Sequence, residues 1–215
     1  MEGTKIVIGD RTFYIKSGTR WEEKEKWNPV ANKIPEKYKD INLSKFILTE
    51  SNKKIILALN NYGIKFNENK NKSVLLVGGV GTGKTMIACL ILKTVLEKGY
   101  TGEIVTVVDM LDKIKESYNP SINAEIGYVN KLCNIDLLVL DDIGIEKMTE
   151  HTYEKLYKVI NSRYNKEKAT IFTSNCDIKS LLKVLDERLV SRIAEMTKNR
   201  MYMFDSNKHN DWRLK

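Results

Sequence analysis

The stretch SVLLVGGVGTGKT occupies residues 73–85 and joins a short apolar run to a glycine-rich turn. The run predicts a buried strand over Ser73–Val77, and the residues after the turn predict a helix from Lys84 to about Lys98. Residues 78–85 match the pattern GxxxxGK[ST] in full, in the strand–turn–helix context of a phosphate-binding loop. Backbone N–H groups and the start of the helix favour bound phosphates there. The predicted nucleotide-binding residues are Gly78, Gly79, Val80, Gly81, Thr82, Gly83, Lys84 and Thr85.

The side chains of this loop predict ATP and Mg²⁺ as cofactors. Lys84 is expected to reach the β- and γ-phosphates, and Thr85 to offer its hydroxyl to Mg²⁺. Further along, DLLVLDD at residues 136–142 is an apolar strand that ends in two acids. We expect this strand to adjoin the strand of the loop, so that Asp141 holds the same Mg²⁺ and Asp142 orients or deprotonates the attacking water. The alternative is an ordinary acidic turn or helix cap.

Outward from the loop, near-solid apolar strands alternate with helical patterns. That alternation predicts an α/β fold with a five-stranded parallel sheet covered by helices on both faces. The predicted strands are Ser73–Val77, Glu103–Val108, Asp136–Leu140, Thr170–Thr173 and Met201–Phe204. The predicted helices are Lys45–Tyr62, Lys84–Lys98, Met110–Tyr118, Asn123–Leu132, Thr149–Tyr164, Ile178–Leu185 and Asp186–Met196.

The first 35 residues read as a separate element ahead of a domain over residues 36–215. Alternating apolar residues on either side of Gly9-Asp10 predict a β-hairpin. A charged segment with Trp21 and Trp27 follows, and its tryptophans either pack on the main domain or dock a partner protein. The formal net charge of +8 favours polyanionic partners, although a lysine-rich genome gives the same surplus. With no signal region and no membrane-length apolar run, we expect a cytoplasmic protein with no membrane partner.

Two further polar patterns extend the predicted site. Asn175 follows the predicted strand Thr170–Thr173 and can hydrogen-bond the attacking water. The alternative is that Asn175 is only a residue of a turn, for which asparagine is favoured. Arg188 and Arg192 lie four residues apart on one helical face. These arginines either form salt bridges to Glu187 or Glu195, or present a guanidinium to the γ-phosphate of a neighbouring subunit.

Taken together, these motifs resemble the AAA+ ATPases of the bacterial and phage DnaC/DnaI helicase-loader group, which also contains IstB-like transposition ATPases. The resemblance covers about residues 34–205, and it includes IPEKYKD at residues 34–40 as the lead-in to the domain. It implies a P-loop NTPase of AAA+ type without a C-terminal helical lid domain. It also implies that Asn175 is the sensor-1 residue and that Arg192, or alternatively Arg188, acts in trans.

The resemblance further implies contact with single-stranded DNA by an inserted helix at Met110–Tyr118. Lys113, Lys115 and Tyr118 are the expected DNA-binding residues, since basic side chains beside an aromatic ring suit a single strand. The alternative is a set of surface lysines beside a core tyrosine.

The implied function is ATP-dependent loading of a replicative DNA helicase onto single-stranded DNA during DNA replication. ATP would act as an assembly switch for self-association through a shared site. The ATPase is expected to be slow, because Asp142 is one methylene shorter than the glutamate of more active relatives. The rivals are a transposition ATPase that binds DNA and a transposase, and an adaptor that binds ATP without hydrolysing it.

Overall fold

The computed structural model describes residues 4–8, 11–15, 30, 33–116, 124–144 and 149–204 of the 215-residue chain. The strand β1 (Thr4–Ile8) pairs antiparallel with β2 (Arg11–Ile15), and Ile8 lies opposite Arg11. The predicted hairpin is therefore confirmed, with two residues between its strands. Trp21 and Trp27 lie outside the described residues.

The helix predicted to begin at Lys45 begins eight residues later. The structure has short 3₁₀ turns at Glu36–Tyr38 and Leu43–Lys45, and the helix α1 runs over Lys53–Ile64. Thr49 and Asn52 account for the difference, because the Thr49 N–H donates to Asn52 Oδ1 (2.8 Å) and the Asn52 N–H to Thr49 Oγ1 (3.3 Å). Polar side chains that bind the local backbone in this way compete with helix formation.

Five parallel strands form the main sheet, as predicted. They are β3 (Val74–Gly78), β4 (Gly102–Thr106), β5 (Leu137–Asp141), β6 (Thr170–Ser174) and β7 (Met201–Phe204), in the order β4-β5-β6-β3-β7. The expectation that the acid-bearing strand adjoins the strand of the loop is wrong. β6 separates β5 from β3, and it pairs with both of them. Because β3, β5 and β6 are buried on both faces, their sequence patterns do not reveal which strands are their neighbours.

Six further helices lie within the described residues, close to their predicted positions. They are α2 (Lys84–Glu97), α3 (Val107–Glu116), α4 (Ala124–Asn134), α5 (Glu150–Asn165), α6 (Ile178–Val184) and α7 (Glu187–Met196). The predicted strand end at Val108 is wrong, because Thr106 Oγ1 accepts the Asp109 N–H (3.0 Å) and caps the start of α3. No helix in the described ranges has the length and apolar character needed to cross a bilayer.

Alternate residues of each central strand enter two separate cores. On β3, Leu76 packs against α1 and α2, while Leu75 lies in the core covered by α3 to α7. On β5, Val139 and Leu140 divide in the same way. Burial on both faces explains the solid apolar runs of the sequence, and it leaves only the strand ends available for polar chemistry.

Arg163 of α5 carries a fully buried charge. It lies on the side of the sheet that α3 to α7 cover. Its Nε donates to Thr170 Oγ1 (2.9 Å), and its other nitrogens donate to the carbonyls of Leu132 (2.7 Å), Ile135 (2.9 Å), Asp136 (3.5 Å) and Ala169 (2.5 Å). All five N–H groups of the guanidinium thus have acceptors. Burial lowers the pKa of Arg163 to about 10, so the side chain is charged at neutral pH.

Candidate functional site

The glycine-rich loop lies where β3 ends and α2 begins, at the carboxyl edge of the parallel sheet. Gly83 precedes the helix with φ of +92°, a left-handed conformation that favours glycine. A Cβ on Gly78 would lie 2.6 Å from the carbonyl oxygen of Phe204 on β7, so no larger residue fits there. The two glycines therefore set the backbone path that a phosphate-binding loop requires.

Lys84 connects this loop to the end of β6. The side chain is 5% exposed, and Nζ donates to the carbonyls of Gly78 and Gly79 (2.8 Å each) and to Asn175 Oδ1 (2.9 Å). An ammonium group at the centre of the loop is positioned for phosphate oxygens. The structure thereby brings two of the predicted residues, Lys84 and Asn175, into direct contact.

Thr85 at the start of α2 and Asp141 at the end of β5 also meet, although β6 separates β5 from the strand of the loop. Thr85 Oγ1 donates to the two carboxylate oxygens of Asp141 (3.0 and 3.1 Å), and Thr173 Oγ1 on β6 donates to Asp141 Oδ1 (2.6 Å). Carboxylate and hydroxyl oxygens are the hard ligands that Mg²⁺ prefers, and Mg²⁺ usually takes one or two carboxylates with substrate phosphates. This donor set therefore fits Mg²⁺ held between the protein and the phosphates.

Asp142 faces the cleft through an unusual backbone conformation. Its φ is +56°, in the left-handed region that few residues other than glycine, asparagine and aspartate adopt. Its N–H donates to Thr173 Oγ1 (2.8 Å), and Asn175 Nδ2 lies 3.5 Å from Asp142 Oδ1. The predicted water-activating acid and the predicted sensor amide are therefore neighbours.

Several residues of the site were not predicted from the sequence. Thr173 contacts both Asp141 and Asp142, and the signal that could have found it is a hydroxyl inside a buried strand, which needs a partner. A cleft of about 360 Å³ beside the loop is also lined by Lys37, Tyr38 and Met86. The lead-in segment thus forms one wall of the cleft, and only folding brings it there.

Arg192 does not line the cleft of its own chain. Its Nε donates to Asn161 Oδ1 (2.7 Å) and its guanidinium lies over the ring of Tyr157 (4.9 Å to the centroid) on α5. Among the described residues, no ion pair joins Arg188 or Arg192 to Glu187 or Glu195. The salt-bridge alternative for these two arginines is therefore wrong within the described part of the chain.

Of the predicted DNA-binding residues, only Lys113 has a described side chain. Its Nζ pairs with Glu103 Oε1 (3.3 Å), and Glu103 also pairs with Lys131 and accepts from Tyr128 (2.9 Å). Burial alone would raise the pKa of Glu103, but Lys131, Tyr128 and Lys113 together hold it below its usual range. Lys113 thus joins α3 to the edge strand β4, while the side chain of Lys115 and the whole of Tyr118 lie outside the described residues.

Burial raises the pKa of Asp141 above its ordinary value, and the Asp142 carboxylate adds to this, against hydrogen bonds from Thr173 and Thr85 and the charge of Lys84. A buried carboxylate whose charge is disfavoured is stabilised by a bound cation. Metal binding at this position is therefore expected to relieve an electrostatic cost that the fold carries without it.

Replacing Asp141 with asparagine is expected to raise the free energy of unfolding at neutral pH without metal and to abolish magnesium-dependent nucleotide binding. Because folding raises this pKa, the wild-type chain loses stability as pH rises from the ordinary carboxyl value of about 3.9 through the raised one. Asparagine does not titrate, so the advantage of the variant should grow with pH. Urea denaturation across this interval measures the difference.

Asp136, which precedes β5, is the matched control for this prediction. Its pKa is lowered, because Thr101 and Lys168 outweigh the effect of burial. Asp136→Asn should therefore destabilise the chain at neutral pH, and that loss should shrink as pH falls through the lowered pKa. An Asp141→Asn chain less stable than the wild type at neutral pH would contradict our account of Asp141.

Comparison with known proteins agrees with the nucleotide-binding site that the geometry indicates. The sequence profile described as "IstB-like ATP binding protein" matches residues 20–199. The replicative helicase loader DnaC of Buchnera aphidicola subsp. Baizongia pistaciae is 34% identical over 147 residues, which are 67% of this chain and 58% of that protein. The chain therefore spans just over half the length of this curated relative.

Solved structures with the same fold include those of the DnaC helicase loader and of DnaI. A crystal structure of the DnaC helicase loader has a TM-score of 0.69 at 27% identity, covering 80% of this chain and all of that one. A crystal structure of DnaI has a TM-score of 0.65 at 21% identity, covering 83% and 94%, and supports the fold alone. The resemblance to the DnaC/DnaI group is thereby confirmed, as is the P-loop fold of AAA+ type. With its profile match over residues 20–199 and its loop, acid and amide at one sheet edge, the chain belongs to the family of IstB-like ATP binding proteins.

Proposed function

We propose that this protein is an ATP-dependent loader that delivers a replicative helicase onto single-stranded DNA. One observation carries the proposal. The phosphate-binding loop, Asp141 and Asn175 converge at one edge of the sheet, while Arg192 is held outside the cleft that they form. A site that is complete except for an arginine suits a nucleotide shared between two copies of the chain. Similarity to DnaC loaders supports the helicase as partner.

In the proposed site each residue has a separate task. Lys84 holds the β- and γ-phosphates, and Thr85 and Asp141 hold Mg²⁺, which would neutralise charge on the phosphates. Asp142 orients the attacking water or accepts its proton, and Asn175 fixes that water from the other side. The short reach of the Asp142 side chain makes hydrolysis slow, so bound ATP persists as an assembly signal.

Arg192 completes the site of a neighbouring copy, with Arg188 as the second candidate. A guanidinium beside the γ-phosphate stabilises the charge of the transition state. Subunits would therefore associate when ATP is bound and separate after hydrolysis. We propose the segment around Lys113, Lys115 and Tyr118 as the contact to DNA, with Lys113 also anchoring α3 through Glu103.

We further propose that residues 1–35, which include the β1–β2 hairpin, Trp21 and Trp27, contact the helicase, and that residues 36–215 form the ATPase domain. The tryptophans offer the large aromatic surface that dominates binding energy at protein interfaces. Val30 and Ile34 are buried in the first core, so this element is anchored at its end.

Capture of the replicative helicase of the same host tests the proposal. The tagged chain is expected to retain the helicase with ATP and Mg²⁺ and to release it after hydrolysis, while a Trp21→Ala/Trp27→Ala chain with normal ATP binding should retain much less. Failure to bind the helicase in any nucleotide state would remove the loader function.

DNA preference separates the nearest rival. A transposition ATPase should favour duplex DNA and form filaments with ATP, whereas a loader should favour single strands. The membership of this chain in the IstB-like family favours that rival over the third candidate, an adaptor that does not hydrolyse ATP. Single-turnover phosphate release that disappears in the Arg192→Ala chain would exclude the adaptor.

A further inference from the structure

The side chain of Arg192 is held by one face of α5. Positions 153, 157, 161 and 164 recur at helical spacing, and they carry three tyrosines and one asparagine. The guanidinium lies 4.9 Å from the ring centroid of Tyr157 and 5.8 Å from that of Tyr164. Aromatic faces attract a guanidinium laid over them, so the two rings fix the plane of the arginine head group.

Asn161 sets the rotation of the guanidinium within that plane. Its Oδ1 accepts from Arg192 Nε at 2.7 Å, while Arg192 Nη1 donates to the Arg188 carbonyl at 3.3 Å. A guanidinium has five N–H donors, and the described residues provide acceptors for two of them. Donors on both terminal nitrogens remain for a ligand, and Arg192 is partly exposed.

The tyrosines of this face are themselves held in place. Tyr153 stacks on Tyr157 (5.7 Å between centroids), and its hydroxyl donates to Asp186 Oδ1 (3.2 Å), which also accepts the Arg188 N–H at the start of α7. At the other end, a hydrogen bond to Glu195 raises the pKa of Tyr164. The arginine thus lies in a preformed cradle that both helices build.

We infer that Asn161 is a positioning residue for Arg192: it directs the donor-bearing edge of the guanidinium to the γ-phosphate of ATP bound by a second copy of this chain. The inference rests on the proposed shared site and adds to it how the arginine is aimed. A phosphate accepts two parallel N–H bonds from one guanidinium only when its plane and rotation are right. The rings supply the plane, and Asn161 supplies the rotation.

A mixture of two variant chains tests this assignment. Asp141→Asn chains lack the metal carboxylate but keep Arg192, whereas Arg192→Ala chains keep the complete loop. In the mixture, a competent site forms only where an Arg192→Ala chain binds ATP and an Asp141→Asn chain donates the arginine. Single-turnover phosphate release measures that site even when hydrolysis is slow.

Asn161→Ala is then introduced into one chain at a time. On the arginine-donating chain it is expected to lower phosphate release on the order of 10- to 100-fold, because a misaligned catalytic group loses that much rate. On the Arg192→Ala chain it should change little, since that chain has no arginine to aim. Asn165→Ala on the donating chain, exposed one turn further along α5, is the control and should leave the rate unchanged.

The melting temperature of the donating chain distinguishes positioning from a merely structural link between α5 and α7, because Arg192→Ala has already broken that link in the other chain. Positioning predicts the loss of rate with an unchanged melting temperature. A loss of rate on the donating chain that comes with a lower melting temperature would assign Asn161 to stability alone and overturn the inference. An unchanged rate with Asn161→Ala on the donating chain would overturn it as well. No phosphate release from the parent mixture, with wild-type chains active, would instead refute the shared site of the proposed function and the inference with it.

Discussion

Replacing Lys84 with alanine is expected to weaken ATP binding by about two orders of magnitude. The ammonium group is buried in the loop and would donate charged hydrogen bonds to two phosphates. Each such bond contributes about 1.5–3 kcal/mol, and 1.4 kcal/mol is a factor of ten in Kd. Titration with a fluorescent ATP analogue in the presence of Mg²⁺ measures the loss.

Lys84 also has a structural task, so the experiment needs a measure of folding. Its Nζ holds Gly78, Gly79 and Asn175 together, and the variant leaves these acceptors unfilled. Lys54→Ala removes an exposed lysine from α1 and should leave the affinity unchanged. A folded Lys84→Ala chain that binds ATP with wild-type affinity would show that the loop is not the phosphate site.

Replacing Arg163 with methionine is expected to lower the free energy of unfolding by on the order of 3–5 kcal/mol, a large fraction of the 5–15 kcal/mol typical of a folded domain. Methionine has a similar length but no donors, so four backbone carbonyls and the Thr170 hydroxyl lose the hydrogen bond from Arg163 in the interior. Of these groups, the Ala169 carbonyl still accepts the Leu138 N–H, and the Thr170 hydroxyl still donates to the Lys168 carbonyl. Each buried group left unsatisfied costs about 1–3 kcal/mol. Urea denaturation followed by circular dichroism gives the value.

Lys158→Met on the exposed side of the same helix is the matched control, and it should change stability by no more than about 0.5 kcal/mol. Arg163→Lys is expected to fall between the two, because an ammonium has three donors in place of five. If Arg163→Met lowers the free energy of unfolding by as little as the control does, the carbonyls that accept from Arg163 must find other donors.

The parts of the fold that the sequence could predict are those that short-range rules determine. The loop at residues 78–85 needs particular residue types at fixed spacing, and β7 was predicted to the residue because its apolar run has clear ends. The start of α1 was missed because Thr49 and Asn52 exchange hydrogen bonds with the backbone, which helical periodicity does not register.

The features that were missed depend on contacts between distant segments. The insertion of β6 between β5 and β3 brings Thr173 to the two acids, and no pattern within either strand specifies it. The wall of the cleft at Tyr38 and the contact between Asn161 and Arg192 were missed for the same reason, since each faces a residue far away in the chain. Arg163 was predicted only as part of a helix, because a sequence does not reveal which arginine is buried.

The place of β3 in the sheet has a consequence for how the protein is made. Its neighbours are β6 and β7, so Val74 pairs with Ile171 and Leu75 with Met201, about 100 residues or more further along the chain. Contacts so distant form only after a large loss of chain entropy, and a nascent chain folds as it emerges from its N-terminus. The loop leaves the ribosome early, but its strand has no partner until β6 and β7 have followed. ATP can therefore engage only a chain that has been synthesised through β7, and nucleotide binding reports that the five-stranded sheet has formed.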